Sequence, residues 1–130
     1  MTVVVDSTMV LAFMAADDRH HRTAVSFLND TDEDLITTPL VVAALDRQVT
    51  EIGGADAAKA LWADIASGAY TVRWWADAMD ETIKIARSSP TTGLTDASLV
   101  ALCRRLRTNR IATFASHFET FDLTLLPERT

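Results

Sequence analysis

The segment Val3-Val4-Val5-Asp6-Ser7-Thr8 constrains the fold of this chain more than any other stretch of its sequence. The three β-branched valines favour a buried strand, and Ser7 and Thr8 favour the start of a helix. Asp6 is therefore predicted to lie where a strand gives way to a helix. Because ligands of open α/β sheets collect at this edge, the segment predicts an acidic side chain at a binding edge of the sheet.

A second aspartate is predicted at a helix start about ninety residues later. Asp96 follows Thr95, a good N-cap residue, and precedes apolar residues at helical spacing over residues 99–106. Its carboxylate is expected in the first helical turn, near the positive end of the helix dipole. An aspartate there most often serves only as a cap, but Asp6 and Asp96 could together hold a hard cation such as Mg²⁺. Spacing alone leaves both interpretations open.

Strand and helix patterns alternate along the chain, with no repeat or linker. Strands are predicted near residues 3–6, 35–37, 70–74, 111–114 and 123–125, and helices over 8–15, 20–29, 39–52, 55–66, 77–87 and 96–107. Gly53-Gly54 ends the 39–52 helix in this prediction, and residues 116–121 form a short turn. Strands separated by helices indicate a mostly parallel sheet with helices on both faces. A length of 130 residues suffices for one core, so a single domain over 1–130 is expected.

Cysteine usage and the N-terminal segment indicate the compartment. Cys103 is the only cysteine and lies on a predicted apolar helix stripe, so it is expected in the core of a protein from a reducing cytoplasm. The apolar stretch 3–16 is interrupted by Asp6, lacks a basic leader and is too short to span a bilayer. A soluble cytoplasmic protein without a membrane partner is therefore expected.

A formal charge of −6 argues against broad electrostatic binding to nucleic acid, but it leaves a metal-bridged RNA substrate open. Four arginines nevertheless cluster around one predicted helix end: Arg104, Arg105, Arg107 and Arg110. They fit a solvated helix C-terminus better than a phosphate contact, although both interpretations remain open.

Histidines and tryptophans carry weaker signals. His20 and His21 are adjacent on a predicted helix start, where they point about 100° apart, so they are expected to be exposed and to form a poor chelating pair. Trp62, Trp74 and Trp75 could stack on bases. Core positions are the preferred interpretation, with either Trp74 or Trp75 facing outward by strand alternation.

Four segments, in this order, carry a resemblance to a known family: the strand ending at Asp6, Thr38-Pro39-Leu40-Val41-Val42-Ala43-Ala44-Leu45-Asp46, Gly93-Leu94-Thr95-Asp96-Ala97-Ser98-Leu99-Val100-Ala101, and Arg110-Ile111-Ala112-Thr113-Phe114. They resemble the PIN domain, specifically the VapC-type toxins of bacterial toxin–antitoxin pairs. The resemblance covers nearly the whole chain. It implies a PIN-like three-layer α/β sandwich with a mostly parallel central sheet.

The resemblance also implies a function. VapC-type toxins are Mg²⁺- or Mn²⁺-dependent endoribonucleases whose clustered carboxylates hold the ion. Asp6 and Asp96 match two of these catalytic, metal-binding acids. The implied partners are an RNA of the tRNA or rRNA class, a cognate antitoxin that covers the acidic groove, and a second copy of the chain. Leu40, Val41 and Trp75 are possible contributors to that homodimer.

Other acids of the family pattern are missing. Ala44 stands where the pattern has a glutamate, and Ala115 stands where it has an aspartate. A further acid, which the family often has before Gly93, is also absent, and Ser89 is the residue nearest to its place. Asp46 lies about 200° around the predicted helix from Ala44, and Glu51 lies roughly 10 Å along its axis, so neither is a good substitute. Impaired cleavage is therefore expected, and a natural variant and deliberate inactivation explain the alanines equally well.

Two other functional classes remain open from the sequence. One is a catalytically inactive PIN-like binding module that sequesters antitoxin or RNA. The other is phosphoryl transfer with Asp6 as nucleophile, in a haloacid-dehalogenase-like or receiver fold. That class is weaker because Ser7-Thr8-Met9-Val10 supplies no second aspartate nearby.

Overall fold

The computed structural model describes residues 1–128, which form a parallel β-sheet with helices packed against it. The elements are β1 (Thr2–Val5), α1 (Ser7–Met14), α2 (His21–Asp30), β2 (Asp34–Thr37), α3 (Pro39–Ala66), β3 (Thr71–Val72), α4 (Ala78–Ser88), α5 (Leu94–Leu106), β4 (Arg110–Ala112), a 3-10 helix (Ser116–Phe121) and β5 (Thr124–Leu126). The predicted strands and helices are all present, with ends shifted by up to two residues in most cases. The predicted domain end at residue 130 lies outside the described residues.

The sheet has the strand order β3-β2-β1-β4-β5, and every neighbouring pair is parallel. The chain therefore builds one half of the sheet outward from β1 through β2 and β3. It then returns to the other side of β1 to add β4 and β5. This reversal puts a topological switch point between the carboxyl ends of β1 and β4, where α/β sheets bind ligands. The predicted α/β architecture with a mostly parallel sheet is confirmed.

The core forms around the central strand. Val3, Val4 and Val5 are fully buried, as expected of a parallel strand covered on both faces. Residues 97–103 of α5 are also buried, so this helix has almost no solvent-facing side in its middle. Cys103 belongs to this stretch, and its predicted core position is confirmed. Within residues 1–128, no helix combines the length and the apolar character that crossing a bilayer requires.

A glycine breaks the long helix α3 at the predicted place. Gly54 has φ 75° and ψ −167°, a conformation that is essentially restricted to glycine, so α3 consists of two helical halves joined at a kink. The predicted helix end at Gly53-Gly54 therefore matches the observed break.

Several side-chain predictions were wrong. Trp62 is 52% exposed rather than in the core. Trp74 and Trp75 are both half-buried, because β3 ends at Val72 and strand alternation does not extend to them. Val41 is 1% exposed, so it is not available to a dimer interface.

The sequence of α4 places Met79, Ile83 and Ala86 on one apolar side, and the buried face observed differs from that side by one helical position. Ala78, Thr82 and Ile85 are the buried residues of this helix. Met79, which belongs to the apolar side, is 39% exposed. The buried face is thus rotated by about 100° from the apolar side.

Candidate active site

Asp6 lies at the carboxyl end of β1 and is itself the N-cap of α1. Its Oδ1 accepts hydrogen bonds from the Thr8 hydroxyl at 2.7 Å and from the backbone N–H of Met9 at 3.2 Å. Its Oδ2 accepts a hydrogen bond from the hydroxyl of Thr113 at 2.6 Å. The predicted strand-to-helix position is confirmed, and three donors fix the orientation of the carboxylate.

The environment of Asp6 opposes its ionisation. The residue is only 2% exposed, and burial is the main reason why its pKa is raised. The hydrogen bonds from Thr113, Thr8 and Met9 lower the pKa and offset part of this effect, whereas the negative charge of Asp96 raises it further. The influence of Asp96 places the two carboxylates in one electrostatic environment. A cation between them would relieve both the burial penalty and the repulsion.

Thr8 and Thr113 connect the segment after β4 to this carboxylate. The backbone N–H of Phe114 donates to the Thr8 hydroxyl, and the N–H of Ala115 donates to the Thr113 hydroxyl, each at 2.9 Å. Ala115 is half-buried beside this network. Ala115, where the resemblance leads us to expect an acid, therefore lies two residues after Thr113, a residue whose hydroxyl holds Asp6.

Asp96 is contributed by the first turn of α5. The helix begins at Leu94 and its N-cap is Gly93, so the predicted N-cap role of Thr95 was wrong, but the first-turn position of Asp96 is confirmed. The Asp96 side chain is 35% exposed, and its Oδ2 lies 2.9 Å from Nε2 of His117 in the 3-10 helix. Asp96 is thus the more accessible of the two carboxylates.

A buried hydroxyl pair holds α3 against α5. The Ser98 hydroxyl donates to the carbonyl of Thr95 at 2.6 Å, and it lies 2.8 Å from the hydroxyl of Thr38, the N-cap of α3. Both Thr38 and Ser98 are fully buried. This contact fixes the start of α3, which carries the half-buried Ala44, relative to Asp96. Sequence reasoning missed the roles of Thr38 and Thr113, although both lie in segments that carry the family resemblance.

Neighbouring acids do not complete a larger cluster. Asp46 accepts a 2.6 Å hydrogen bond from Nε1 of Trp62, and Glu51 pairs with Arg47 on the exposed side of α3. Within residues 1–128, no three His, Cys, Asp or Glu side chains gather closely enough to hold a metal ion.

Two carboxylates nevertheless suit a hard cation that keeps most of its waters. Asp6 Oδ2 accepts one hydrogen bond and retains a lone pair, and in the described chain no side-chain hydrogen bond occupies Asp96 Oδ1. Mg²⁺ is often held by only one or two carboxylates. The residues present therefore fit such an ion with a minimal ligand set.

The two histidines near α2 are more ordered than the sequence predicted. His20 stacks on Phe114 with ring centroids 4.2 Å apart and planes 5° apart. His21 donates from Nδ1 to the carbonyl of Ala12 at 2.8 Å. Both side chains are half-buried, so the expectation that they are exposed was wrong.

Comparisons with known proteins agree with this architecture. The PIN domain family model matches residues 3–122. Ribonuclease VapC26 of Mycobacterium tuberculosis is 28% identical over 114 residues, which cover 85% of this chain and 84% of that protein.

Solved structures share the fold. The crystal structure of VapC20 from M. tuberculosis, a toxin described as cleaving the sarcin-ricin loop, superposes with a TM-score of 0.86 at 21% identity and covers 94% of this chain and 96% of that one. VapBC2 from Rickettsia felis, solved with a DNA fragment from its promoter, superposes with a TM-score of 0.70 at 11% identity and covers 96% of this chain and 97% of that one. These matches confirm the resemblance to the VapC type of PIN domain. The chain belongs to the PIN domain family.

Proposed function

We propose that this chain is the toxin of a toxin–antitoxin pair and acts as a metal-dependent endoribonuclease with a reduced set of carboxylates. The observation that carries the proposal is the position of Asp6, which lies at the carboxyl end of β1 beside the switch point of the sheet and feels the negative charge of Asp96. The similarity to ribonuclease VapC26 and to the VapC20 toxin supports the reaction class. The substrate in this proposal is RNA of the tRNA or rRNA class.

In this site, Asp6 and Asp96 would hold Mg²⁺ or Mn²⁺. The chemistry that such an ion supplies is a water of lowered pKa and neutralisation of the charge that develops on the phosphate oxygens. Asp6 contributes a rigid ligand because Thr8, Met9 and Thr113 fix its carboxylate. Asp96 contributes an accessible ligand that His117 orients from the 3-10 helix.

The reduced ligand set predicts weak metal binding and slow cleavage. Ala44 follows Thr38, whose hydroxyl contacts that of Ser98, two residues after Asp96. Ala115 donates its N–H to Thr113, which in turn holds Asp6, yet neither alanine supplies a carboxylate. Fewer charges hold the ion less tightly and leave the attacking water less well oriented. Asp6 as a phosphoryl-transfer nucleophile is not favoured, because Ser7-Thr8-Met9-Val10 supplies no second aspartate and the chain belongs to the PIN domain family.

The alanines favour a second candidate function. In that proposal the chain retains the PIN fold but does not cut, and it sequesters antitoxin or RNA. Either function is compatible with a cognate antitoxin and with a cytoplasmic homodimer, and the similarity to VapBC2 supports an antitoxin partner. Leu40 and Trp75 are half-buried and remain candidates for the dimer interface, in contrast to Val41.

The test compares cleavage of a tRNA and rRNA panel, in Mg²⁺ and in Mn²⁺, by three proteins. These are the chain itself, its Asp96→Asn variant, and the double variant Ala44→Glu plus Ala115→Asp. We expect slow cleavage by the chain, a loss of at least about 100-fold in Asp96→Asn, and faster cleavage by the double variant. Cleavage by the double variant alone would favour the binding module for this chain. No cleavage by any of the three would remove the ribonuclease proposal.

A further inference from the structure

A cationic cleft opens between α4 and α5 at the end of α5 that is remote from Asp96. Four cations line it: Lys84 from α4, Arg104 and Arg105 from the last turn of α5, and Arg107 just beyond that helix. Its volume is about 420 Å³. These four residues, hereafter the cationic cleft, are one third of the 12 lysines and arginines in a chain of net charge −6.

The four cations of the cationic cleft outnumber the one carboxylate that lines it, Glu81, so the cleft carries an excess of positive charge. Among residues 1–128, none of its four cations forms an ion pair, whereas Arg47 and Arg110 elsewhere pair with Glu51 and Glu33. The Glu81 carboxylate is turned toward Trp75, since its Oε2 accepts a 3.0 Å hydrogen bond from Trp75 Nε1, and it forms no ion pair with the four cations. The guanidinium of Arg105 lies 5.8 Å from the centre of the Trp75 ring, which orients it over an aromatic face.

A solvated helix end explains only part of this arrangement. Cations in the last turn of α5 interact favourably with the helix dipole, and this accounts for Arg104 and Arg105. It does not account for Lys84, which lies in the middle of α4 and faces the same cleft. Unpaired like charges repel one another, so an anionic ligand would stabilise this surface.

We propose that the cationic cleft binds the phosphate backbone of RNA at a distance from the bond that is cut. The inference rests on the proposed function for its choice of RNA as the polyanion. Asp96 and Arg104 lie eight residues apart on α5, or about 12 Å along one rigid helix. A substrate of several nucleotides can therefore present one phosphate to the carboxylates and another to the cleft. An acidic protein segment would match the charge equally well, and competition with poly-glutamate distinguishes it from RNA.

The test measures binding of a short fluorescein-labelled single-stranded RNA by anisotropy over a salt series, in EDTA. The cleft variant is Lys84→Gln plus Arg104→Gln. The matched control is Lys59→Gln on α3 plus Arg22→Gln on α2, which also removes one exposed lysine and one exposed arginine. If both cleft residues contact phosphates, the slope of log K against log salt should fall by about 1.4 in the cleft variant. The control should leave the slope unchanged.

The outcomes separate this inference from the proposed function. Equal slopes in the cleft variant and the control overturn the inference, whether or not the chain cleaves RNA. A reduced slope in the cleft variant supports it even if no version of the chain cleaves, because EDTA removes any dependence on metal. Competition by poly-glutamate as strong as by an unlabelled RNA of equal charge would show a general polyanion site and overturn the assignment to RNA.

Discussion

Ionisation of the Asp6 carboxyl costs free energy in the metal-free protein. Its burial raises the pKa, and the hydroxyls of Thr113 and Thr8 and the N–H of Met9 compensate only in part. Because the pKa of Asp6 is higher in the folded than in the unfolded protein, the folded protein binds more protons at pH values just above the ordinary aspartate pKa. The stability that it contributes is therefore greatest in acid and declines as the pH rises through that window. A buried carboxyl with a perturbed pKa is typical of a functional site.

Replacing Thr113 by valine should increase this cost. The Thr113→Val variant keeps the side-chain shape but removes the hydroxyl that donates to Asp6 Oδ2, so the pKa of Asp6 should rise further. We expect a loss of about 1 to 3 kcal/mol of unfolding free energy at pH 7. The loss should be smaller in acid, where Asp6 is protonated and its charge no longer needs the donor.

Denaturant unfolding at pH 7 and at low pH measures this difference. Thr50→Val is the control, since its hydroxyl bonds only the carbonyl of Asp46 on the exposed face of α3. A loss that is the same at both pH values would contradict the role assigned to Thr113. A ¹³C NMR titration of the Asp6 carboxyl gives a second, direct readout of the pKa.

The sequence could predict the two aspartates but not the residue that holds one of them. Asp6 and Asp96 are recognisable from their local patterns, a strand that gives way to a helix and the first turn of an apolar helix. Thr113 lies 107 residues from Asp6, and only the pairing of β1 with β4 brings the two together. A contact of this kind depends on topology, which local patterns do not specify.

At the level of the helices, the kink in α3 supports a specific test. Gly54 has a positive φ with extended ψ, and a Cβ built on it meets nothing within 4 Å, so conformational strain alone opposes a side chain there. Gly54→Ala should cost about 1 to 3 kcal/mol of stability. Gly93→Ala is the control, because Gly93 has φ −78° and equally open space. Thermal unfolding of the two variants measures the cost. Equal losses of stability in Gly54→Ala and Gly93→Ala would contradict conformational strain at Gly54.

Helix and strand positions followed from the sequence more reliably than the orientation of each helix did. The buried face of α4 differs from its apolar side by one position because Ala78 and Thr82, both small, pack inward in place of the larger Met79. Trp62 was expected in the core because tryptophans on helices usually lie there, but Ala58 and Leu61 form the buried face of that half of α3. The orientation of a helix depends on the neighbour that it packs against, which a single amphipathic segment does not identify.

For the whole molecule, the arrangement of charge links stability to metal binding. The proposed site holds two carboxylates that repel each other, and the charge of Asp96 already raises the pKa of Asp6. Adding two further acids through Ala44→Glu plus Ala115→Asp should increase this repulsion in the absence of metal. In EDTA this variant should therefore melt at a lower temperature than the neutral control Ala44→Gln plus Ala115→Asn, which has side chains of the same size.

Mn²⁺ should reverse that order. A ligand that binds only the folded state stabilises it by about 2.7 kcal/mol when its concentration is 100 times the Kd. The four-carboxylate variant should bind the ion more tightly, so its Tm should rise more than that of the neutral control or of the chain itself. Asp6→Asn in the chain should abolish its smaller rise. Differential scanning fluorimetry in EDTA and in a Mn²⁺ series measures all four proteins. Equal shifts in the acidic and neutral variants would show that carboxylates at positions 44 and 115 lie too far away to act as ligands. An unchanged rise in Asp6→Asn would contradict a metal site at Asp6 and Asp96.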